Sequence, residues 1–173
     1  MADTVERFQE QINQYLDLWR ENGSPSRSGF EQAADELKTW REERGIPGLW
    51  KIPPVMVTAT LDDAMGFGLQ LIHRVSEAAG LKVHPLGLLQ KSEAIIAGCQ
   101  KHQPLILGMT VLQFDSEEEL GTVGHNLPEG TRLVVGGPIF KSDPEIARRT
   151  AVDFVAEDAA AFLGYLLGLA AHP

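Results

Sequence analysis

Residues 55–68 read VMVTATLDDAMGFG, and the fold of the chain follows from this stretch. Its first six residues are mostly apolar or β-branched, which is typical of a buried β-strand. The acidic and glycine-containing residues that come next lead into a helix, which we predict over about residues 63–79. The same order of strand, turn and helix recurs four times up to residue 158. Such alternation predicts a parallel sheet covered by helices.

The composition of the strands predicts their order in the sheet. We predict five strands, over residues 55–60, 81–86, 105–112, 132–135 and 152–155, with further helices over 91–102, from Ser116 onward and over 156–169. The second strand contains Pro85, which lacks a hydrogen-bond donor and is tolerated mainly at a sheet edge. Residues 105–109 are apolar on both faces, as in a central parallel strand. These features predict an α/β fold with a flavodoxin-like, Rossmann-like parallel sheet of order 2-1-3-4-5.

Two amphipathic helices precede the sheet. Residues 3–22 carry an apolar stripe on one face, formed by Val5, Phe8, Ile12, Tyr15, Leu16 and Trp19. A second helix is predicted to begin at Ser28, where the spacing to Glu31 fits a capping box. We therefore predict an N-terminal helical hairpin over residues 1–50 and an α/β domain over residues 51–173. Two short helices rarely fold alone, so the stripes pack on the sheet domain, on a second copy as a homodimer, or on a partner.

Composition argues against several classes of protein. The chain has 173 residues and a formal charge of −9, and this surplus of carboxylates argues against a nucleic-acid partner. No apolar run approaches the roughly 20 residues of a membrane span, and residues 1–6 lack the layout of a signal peptide. We therefore expect a cytoplasmic protein that does not bind membranes.

No pattern in the sequence assembles a self-contained active site. There is no Cys pair or His–Glu cluster for zinc, no Gly-x-Ser-x-Gly elbow and no Gly-rich Lys loop for phosphates. We expect Cys99 to be an inert thiol in the core and His73 to be solvated. These absences favour a non-catalytic cofactor-binding protein over an enzyme, and no residue is assigned as a metal ligand.

The residues most able to contact a ligand lie where three of the predicted strands end. They are Asp63, Gly66 and Gly68 after the first strand, Thr110 and Leu112 at the end of the third, and Gly136 and Gly137 at the end of the fourth. Open parallel sheets bind ligands outside these carboxyl ends, so we expect the residues to meet at one edge. We also expect residues 139–150 to form a loop that borders the site.

Structural roles for the same residues stay open at this point. Asp63 stands three residues after Thr60 and can complete a capping box for the first helix of the α/β domain. Gly66 and Gly68 can serve close packing of that helix on the sheet. The pair of glycines at 136 and 137 can form an ordinary turn after a strand.

In this order and on these strands, the motifs resemble the cobalamin-binding domain of methionine synthase, corrinoid methyltransferase proteins and methylmalonyl-CoA mutase. That family carries Asp-x-His-x-x-Gly after its first strand, Ser-x-Leu or Thr-x-Leu on its third and Gly-Gly on its fourth. The resemblance covers about residues 55–169. It implies that a corrinoid, cobalamin, binds at the carboxyl edge of the sheet in contact with Asp63, Met65, Gly66, Gly68, Thr110, Leu112, Gly136 and Gly137.

One departure from the family pattern concerns the cobalt ligand. Met65 stands where the family has the His that coordinates cobalt, and a thioether is a weak, soft ligand. The resemblance then implies cobalamin with its own dimethylbenzimidazole on cobalt, cobalamin bound base-off without a protein ligand, or a pocket that has lost the cofactor. His84 or His125 is the alternative axial ligand from outside the motif. Gly136 and Gly137 would admit the nucleotide tail, and Thr110 would offer it a hydroxyl.

Three functions remain open from the sequence. The first is a corrinoid carrier or accessory protein that presents cobalt to a methyltransferase partner, with the helical hairpin near the corrin face. The second is a sensor or regulatory module that responds to cobalamin or haem through a partner protein. The third is a ligand-free scaffold that has kept the fold and lost the site. In the first case the cofactor carries the chemistry and the chain supplies binding and orientation.

Overall fold

The computed structural model of the chain describes residues 2–63 and 66–172. The chain forms two compact units. The first contains Met1–Pro54, Leu71–Lys82 and Asp158–Pro173, and the second contains Val55–Gln70 and Val83–Glu157. The first unit thus combines both ends of the chain with a middle segment. The domain boundary after residue 50 stays a prediction.

Nearly all of a five-stranded sheet lies in the second unit, with the order β2-β1-β3-β4-β5. The strands are β1 (Val55–Ala59), β2 (Lys82–Gly87), β3 (Ile106–Thr110), β4 (Arg132–Gly136) and β5 (Phe154–Val155). The pairs β1 with β3, β3 with β4, and β4 with β5 are parallel. The predicted strand order is confirmed, and Pro85 lies in the edge strand β2, where its missing donor costs the sheet least.

The helices of the described residues are α1 (Ala2–Asn22), α2 (Arg27–Glu42), α3 (Phe67–Ala79), α4 (Ser92–His102), α5 (Glu117–His125), α6 (Ile139–Ser142), α7 (Glu145–Arg149) and α8 (Ala159–Ala171). A short 3-10 turn, Phe114–Ser116, precedes α5. None of the helices in the described part of the chain combines the length and the apolar character needed to cross a membrane.

One core cluster of the second unit lies on one face of the sheet. Val57, Leu107 and Leu133 share this face because successive side chains of a strand alternate between its two faces. Ile95 of α4 and Leu120 of α5 belong to the same cluster, and all five side chains are fully buried. Burial of such side chains stabilises the fold by about 1.5–3 kcal/mol for each residue.

Cys99 of α4 also belongs to this core and is fully buried, as predicted. Loss of hydration on burial raises the pKa of its thiol to about 11. The thiol therefore stays protonated at neutral pH, which agrees with the prediction of an inert side chain.

The first unit contains the predicted helical hairpin, whose apolar stripes are used within the chain. Phe8 and Ile12 of α1 are fully buried. Phe8 stacks on Trp40 of α2 at 6.0 Å between ring centroids, and Trp19 meets Phe30 edge to face at 5.1 Å. These pairs join α1 to α2 because offset and edge-to-face arrangements are the favoured geometries of aromatic rings.

Arg41 joins α2 to the end of α3 within the first unit. Its guanidinium donates to the carbonyls of Ala78 at 2.9 Å, Glu77 at 2.8 Å and Ile46 at 3.2 Å. The last carbonyls of a helix lack partners inside the helix, so a side chain that supplies donors stabilises its end. Partial burial lowers the pKa of Arg41 from its ordinary value.

Two predicted helix starts are wrong, and one predicted cap does not form. The second helix is capped by Ser26, whose hydroxyl accepts from the Gly29 amide at 3.3 Å, and not by Ser28. The helix predicted from about residue 63 begins at Phe67. Ser116 stands before α5 as predicted but makes no side-chain cap, because its hydroxyl is used in a contact with another loop.

Two further predictions are corrected. Residues 139–150, predicted as a loop, contain the short helices α6 and α7. Pro138 and Pro144 precede these helices, where a missing amide hydrogen costs nothing, and Phe140 and Ile146 are buried in the core. His73, predicted to be solvated, is partly buried, and this burial lowers the pKa of its imidazole.

Candidate functional site

Asp62 is the central residue at the carboxyl edge of the sheet. It follows β1, and its side chain is only 4% exposed. Its Oδ2 accepts hydrogen bonds from the amides of Leu112 at 2.7 Å and Gln113 at 3.0 Å, and from the Ser116 hydroxyl at 3.3 Å. The carboxylate therefore ties the loop after β1 to the loop after β3.

The second oxygen of the same carboxylate is unusual. Oδ1 of Asp62 is buried and has no hydrogen-bond partner among the described residues. A buried polar atom without a partner destabilises a fold by about 1–3 kcal/mol, and most such atoms in native proteins are paired. A hydrogen-bond donor from outside the described residues would give this oxygen a partner.

Thr60 connects a third loop to the same edge. The residue is fully buried, and its hydroxyl donates to the Asp62 carbonyl at 3.1 Å and accepts from the Leu89 amide at 3.0 Å. The Thr60 carbonyl also accepts from the Gln90 amide at 2.7 Å. The capping box between Thr60 and Asp63 does not form, because the helix begins later and the threonine hydroxyl is occupied. The loops after β1, β2 and β3 are thus joined.

The sequence predicted Asp63 as a ligand contact, which stays a prediction, and did not identify Asp62 as the residue that joins the loops. In the structure Asp63 is exposed in the loop after β1, while Asp62 is buried. The signal that could have found Asp62 is its place beside the hydroxyl of Thr60 at the end of a buried strand.

The structure brings together two of the predicted residues, one from helix α3 and one from strand β3. A Cβ placed on Gly68 in the first turn of α3 would lie 3.5 Å from Oγ1 of Thr110, the last residue of β3. Gly66 has a φ of +76°, and a Cβ there would lie 3.5 Å from the side chain of Leu88. Met65 lies outside the described residues.

Gly136 and Gly137 are explained first by backbone packing. Gly137 has a φ of +131°, and a Cβ there would lie 1.9 Å from the Val111 carbonyl oxygen. A Cβ on Gly136 would lie 3.4 Å from the carbonyl oxygen of Ala156. The glycine pair therefore allows the ends of β3, β4 and β5 to approach closely, and no other residue fits at position 137 without displacement.

An exposed apolar surface, which we name the apolar rim, lies on the joined loops. It consists of five large side chains with exposed fractions between 40% and 62%: Phe67, Leu88, Leu89, Leu112 and Phe114. Soluble proteins seldom leave several large apolar side chains exposed on neighbouring segments without a binding role. Of the predicted site residues, Leu112 belongs to this rim.

A cavity of about 670 Å³ lies at the ends of β4 and β5. Its wall includes Gly137, Phe140, Lys141, Ala156 and Glu157. The helical segment from 139 to 150 therefore borders this cavity, and its place beside a ligand stays a prediction. Cavities of this size are in the range that holds small ligands and cofactors.

The described residues do not form a metal centre of their own. No group of three or more His, Cys, Asp or Glu side chains among them could hold a metal ion. The ring of His84 stacks on that of His102 at 4.6 Å between centroids, and Nε2 of His125 lies 3.2 Å from the Arg149 carbonyl oxygen.

We predict that Asp62→Ala lowers the free energy of unfolding by roughly 2–4 kcal/mol, because two backbone amides and a hydroxyl lose their acceptor. The neighbouring substitution Asp63→Ala is the control. It removes an exposed carboxylate and should change the free energy of unfolding by less than about 0.5 kcal/mol. Urea unfolding followed by circular dichroism measures both. Equal effects of the two substitutions would contradict the role assigned to Asp62.

We predict that Gly137→Ala destabilises the chain by at least about 2 kcal/mol more than Gly130→Ala. Both glycines have positive φ, so both alanines strain the backbone by about 1–2 kcal/mol. A Cβ on Gly130 meets no atom within 4 Å, whereas a Cβ on Gly137 meets the Val111 carbonyl. Thermal and urea unfolding compare the two variants. A similar loss in both would show that the close approach of Gly137 to Val111 is unimportant.

No protein-family model matches the sequence, and no curated protein matches it. A novel cobalamin-binding protein from Desulfitobacterium hafniense DCB-2 has a similar structure, with a TM-score of 0.75 and 15% identity over 93% of this chain and 79% of that one.

Two structures from Methanosarcina barkeri are also similar. The methanol:cobalamin methyltransferase complex MtaBC gives a TM-score of 0.64 and 18% identity over 99% of this chain and 68% of that one. The monomethylamine corrinoid protein gives a TM-score of 0.59 and 17% identity, and the match spans 79% of this chain and 63% of that one. The chain therefore has the flavodoxin-like fold that these cobalamin-binding and corrinoid proteins share.

Proposed function

We propose that the chain is a corrinoid carrier or accessory protein, which binds cobalamin at the carboxyl edge of its sheet and presents it to a partner methyltransferase. The observation that carries this proposal is the apolar rim on three joined loops at that edge. The fold shared with proteins named for cobalamin or corrinoid binding supports it. The methyltransferase complex among them supports a methyltransferase as the class of partner.

The chemistry of the rim fits a corrin macrocycle. A corrin is a broad, nearly flat ring that carries methyl groups and amide side chains. Leu88, Leu89 and Leu112 offer exposed apolar area from the loops after β2 and β3, and Phe67 adds an aromatic ring at the start of α3. Covering this area removes it from water, which stabilises a complex by roughly 25 cal/mol for each Å² buried.

The unpaired oxygen of Asp62 fits the polar groups of the same ligand. The primary amides around a corrin are N–H donors, and Oδ1 of Asp62 is a buried acceptor without a partner in the described chain. A hydrogen bond to a charged acceptor is stronger than one between neutral groups. Asp62 would then hold both the loop after β3 and the ligand.

The nucleotide tail of cobalamin has a candidate place beside Gly136 and Gly137. The cavity at the ends of β4 and β5 includes Gly137 in its wall, and position 137 carries no side chain to fill it. Thr110 ends β3 and offers a hydroxyl beside Gly68. These residues, the exposed Asp63 and the half-buried Gly66 are the proposed contacts of the cofactor.

Binding without a histidine lower ligand is part of the proposal. Residues 62–68 contain no His, and in this proposal the cobalt carries the cofactor's own base or no base from below. When bound, the cofactor supplies the cobalt that carries a methyl group. The chain binds it, orients it and shields one face from water, which is the usual division of labour between a protein and its cofactor.

The test is an absorption spectrum after loading and desalting. Purified protein is incubated with hydroxocobalamin and, separately, with haemin. We expect about one equivalent of corrinoid to be retained, with band positions that distinguish base-on from base-off binding. Retained haem alone would favour the sensor, and a colourless protein would favour the scaffold without a ligand.

A substitution in the rim tests its location. We predict that Leu89→Asp lowers the affinity for cobalamin by at least about tenfold, because a charge replaces buried apolar contact. Leu89 has a φ of +52°, and aspartate tolerates this conformation, so the fold is retained. Leu18→Asp on α1 is the matched control, since Leu18 is 53% and Leu89 is 62% exposed. Equal losses in the two variants would contradict the rim as the binding surface.

A further inference from the structure

The described wall of the cavity at the ends of β4 and β5 contains two charged residues, the cation Lys141 and the anion Glu157. Lys141 of α6 lies in its wall and is exposed. The arginines of the same part of the chain are neutralised: Arg148 by Glu145 at 2.7 Å, and Arg149 by Glu117 at 2.6 Å and Asp143 at 2.7 Å. Arg132 likewise lies 3.6 Å from Asp153.

Lys141 has no such carboxylate within 4.0 Å in the part of the chain that the structure describes. Glu157 also lines the cavity but comes from the segment between β5 and α8. A lysine without an acidic partner at a ligand cavity is a point charge available for a phosphate. The remaining wall includes the apolar side chains of Phe140, Pro144 and Val155.

The ammonium group of Lys141, the carboxylate of Glu157 and the apolar side chains of the wall together match one chemical group. The tail of cobalamin is a benzimidazole ribonucleotide, which combines an apolar ring, ribose hydroxyls and an anionic phosphodiester. The apolar wall suits the ring, Lys141 suits the phosphodiester, and the carboxylate of Glu157 can accept a hydrogen bond from a hydroxyl. A pocket that combines apolar area with a few polar groups is typical of cofactor sites.

We propose that Lys141 is a specificity residue for the nucleotide tail of the corrinoid, because its ammonium group pairs with the tail phosphodiester in the cavity beside Gly137. This inference rests on the proposed corrinoid function and adds a preference between corrinoids. A complete cobalamin gains this ion pair, and a corrinoid that lacks the nucleotide does not.

The test compares dicyanocobalamin with dicyanocobinamide. Both have cyanide on the two faces of cobalt and the same corrin, and they differ in the nucleotide tail. Equilibrium dialysis with absorbance detection gives the affinity of the whole chain for each. We expect the wild-type protein to prefer dicyanocobalamin, with a preference that shrinks as salt is raised, because salt screens an exposed ion pair.

Lys141→Glu is the informative variant. We expect it to weaken binding of dicyanocobalamin by about tenfold and to leave the affinity for dicyanocobinamide within about twofold. Lys101→Glu on α4 is the matched control, because it changes the net charge equally at an exposed position outside the cavity wall. It should leave both affinities unchanged.

The outcomes separate this inference from the proposed function. The role of Lys141 is overturned, while corrinoid binding stands, if the wild-type protein binds both corrinoids equally. It is also overturned if the Lys141→Glu variant loses affinity for both corrinoids or for neither. Wild-type protein that binds neither corrinoid overturns the proposed function and this inference with it. Circular dichroism of each variant checks that the fold is retained.

Discussion

The hydrogen bonds of Asp62 hold the loop after β1 against the loop after β3, and the arrangement of the sheet edge depends on them. One carboxylate oxygen accepts from two backbone amides and the Ser116 hydroxyl. Thr60 extends the connection to the loop after β2 through the Leu89 amide. Because the loops are fixed in this way, large apolar side chains such as Leu112 remain exposed on a defined surface instead of collapsing onto the core.

A second constraint acts at the other half of the same edge. Gly137 packs so closely on the Val111 carbonyl that only glycine fits, and Gly136 lies close to the Ala156 carbonyl. The pair of glycines thus has a structural cause that is independent of any ligand. Its consequence for binding is that the wall of the neighbouring cavity is backbone at this point, which leaves room for a group as large as a nucleotide.

Much of the fold could be predicted because its signals are local. Proline at position 85 marks the edge strand, and apolar residues on both faces of residues 105–109 mark the central one. Ser28 is the predicted cap of the second helix because its spacing to Glu31 fits a capping box, but in the structure Ser26 caps the helix and accepts from the Gly29 amide. The helices α6 and α7 were missed because each has at most five residues, which is too short to show a helical period of apolar residues.

The candidate site was less accessible to sequence reasoning, because its main contacts join distant segments. The bonds from Asp62 reach 50 to 54 residues along the chain, and the bond from Leu89 to Thr60 spans 29 residues. A motif can mark the loop that contains Asp62 and Asp63, but it cannot tell which carboxylate is buried. The sequence also did not predict that Leu88 and Leu89 are exposed, because apolar residues that follow a strand are usually buried in the core.

The most direct test of corrinoid binding at this edge is a nuclear magnetic resonance titration of ¹⁵N-labelled protein with cyanocobalamin, which is diamagnetic. The account predicts that the largest shifts of backbone amides cluster at Leu89, Leu112 and Gly137, which lie on three different loops at the carboxyl ends of the strands. The account would be contradicted if these three amides do not shift, whether other amides respond or the whole spectrum stays unchanged.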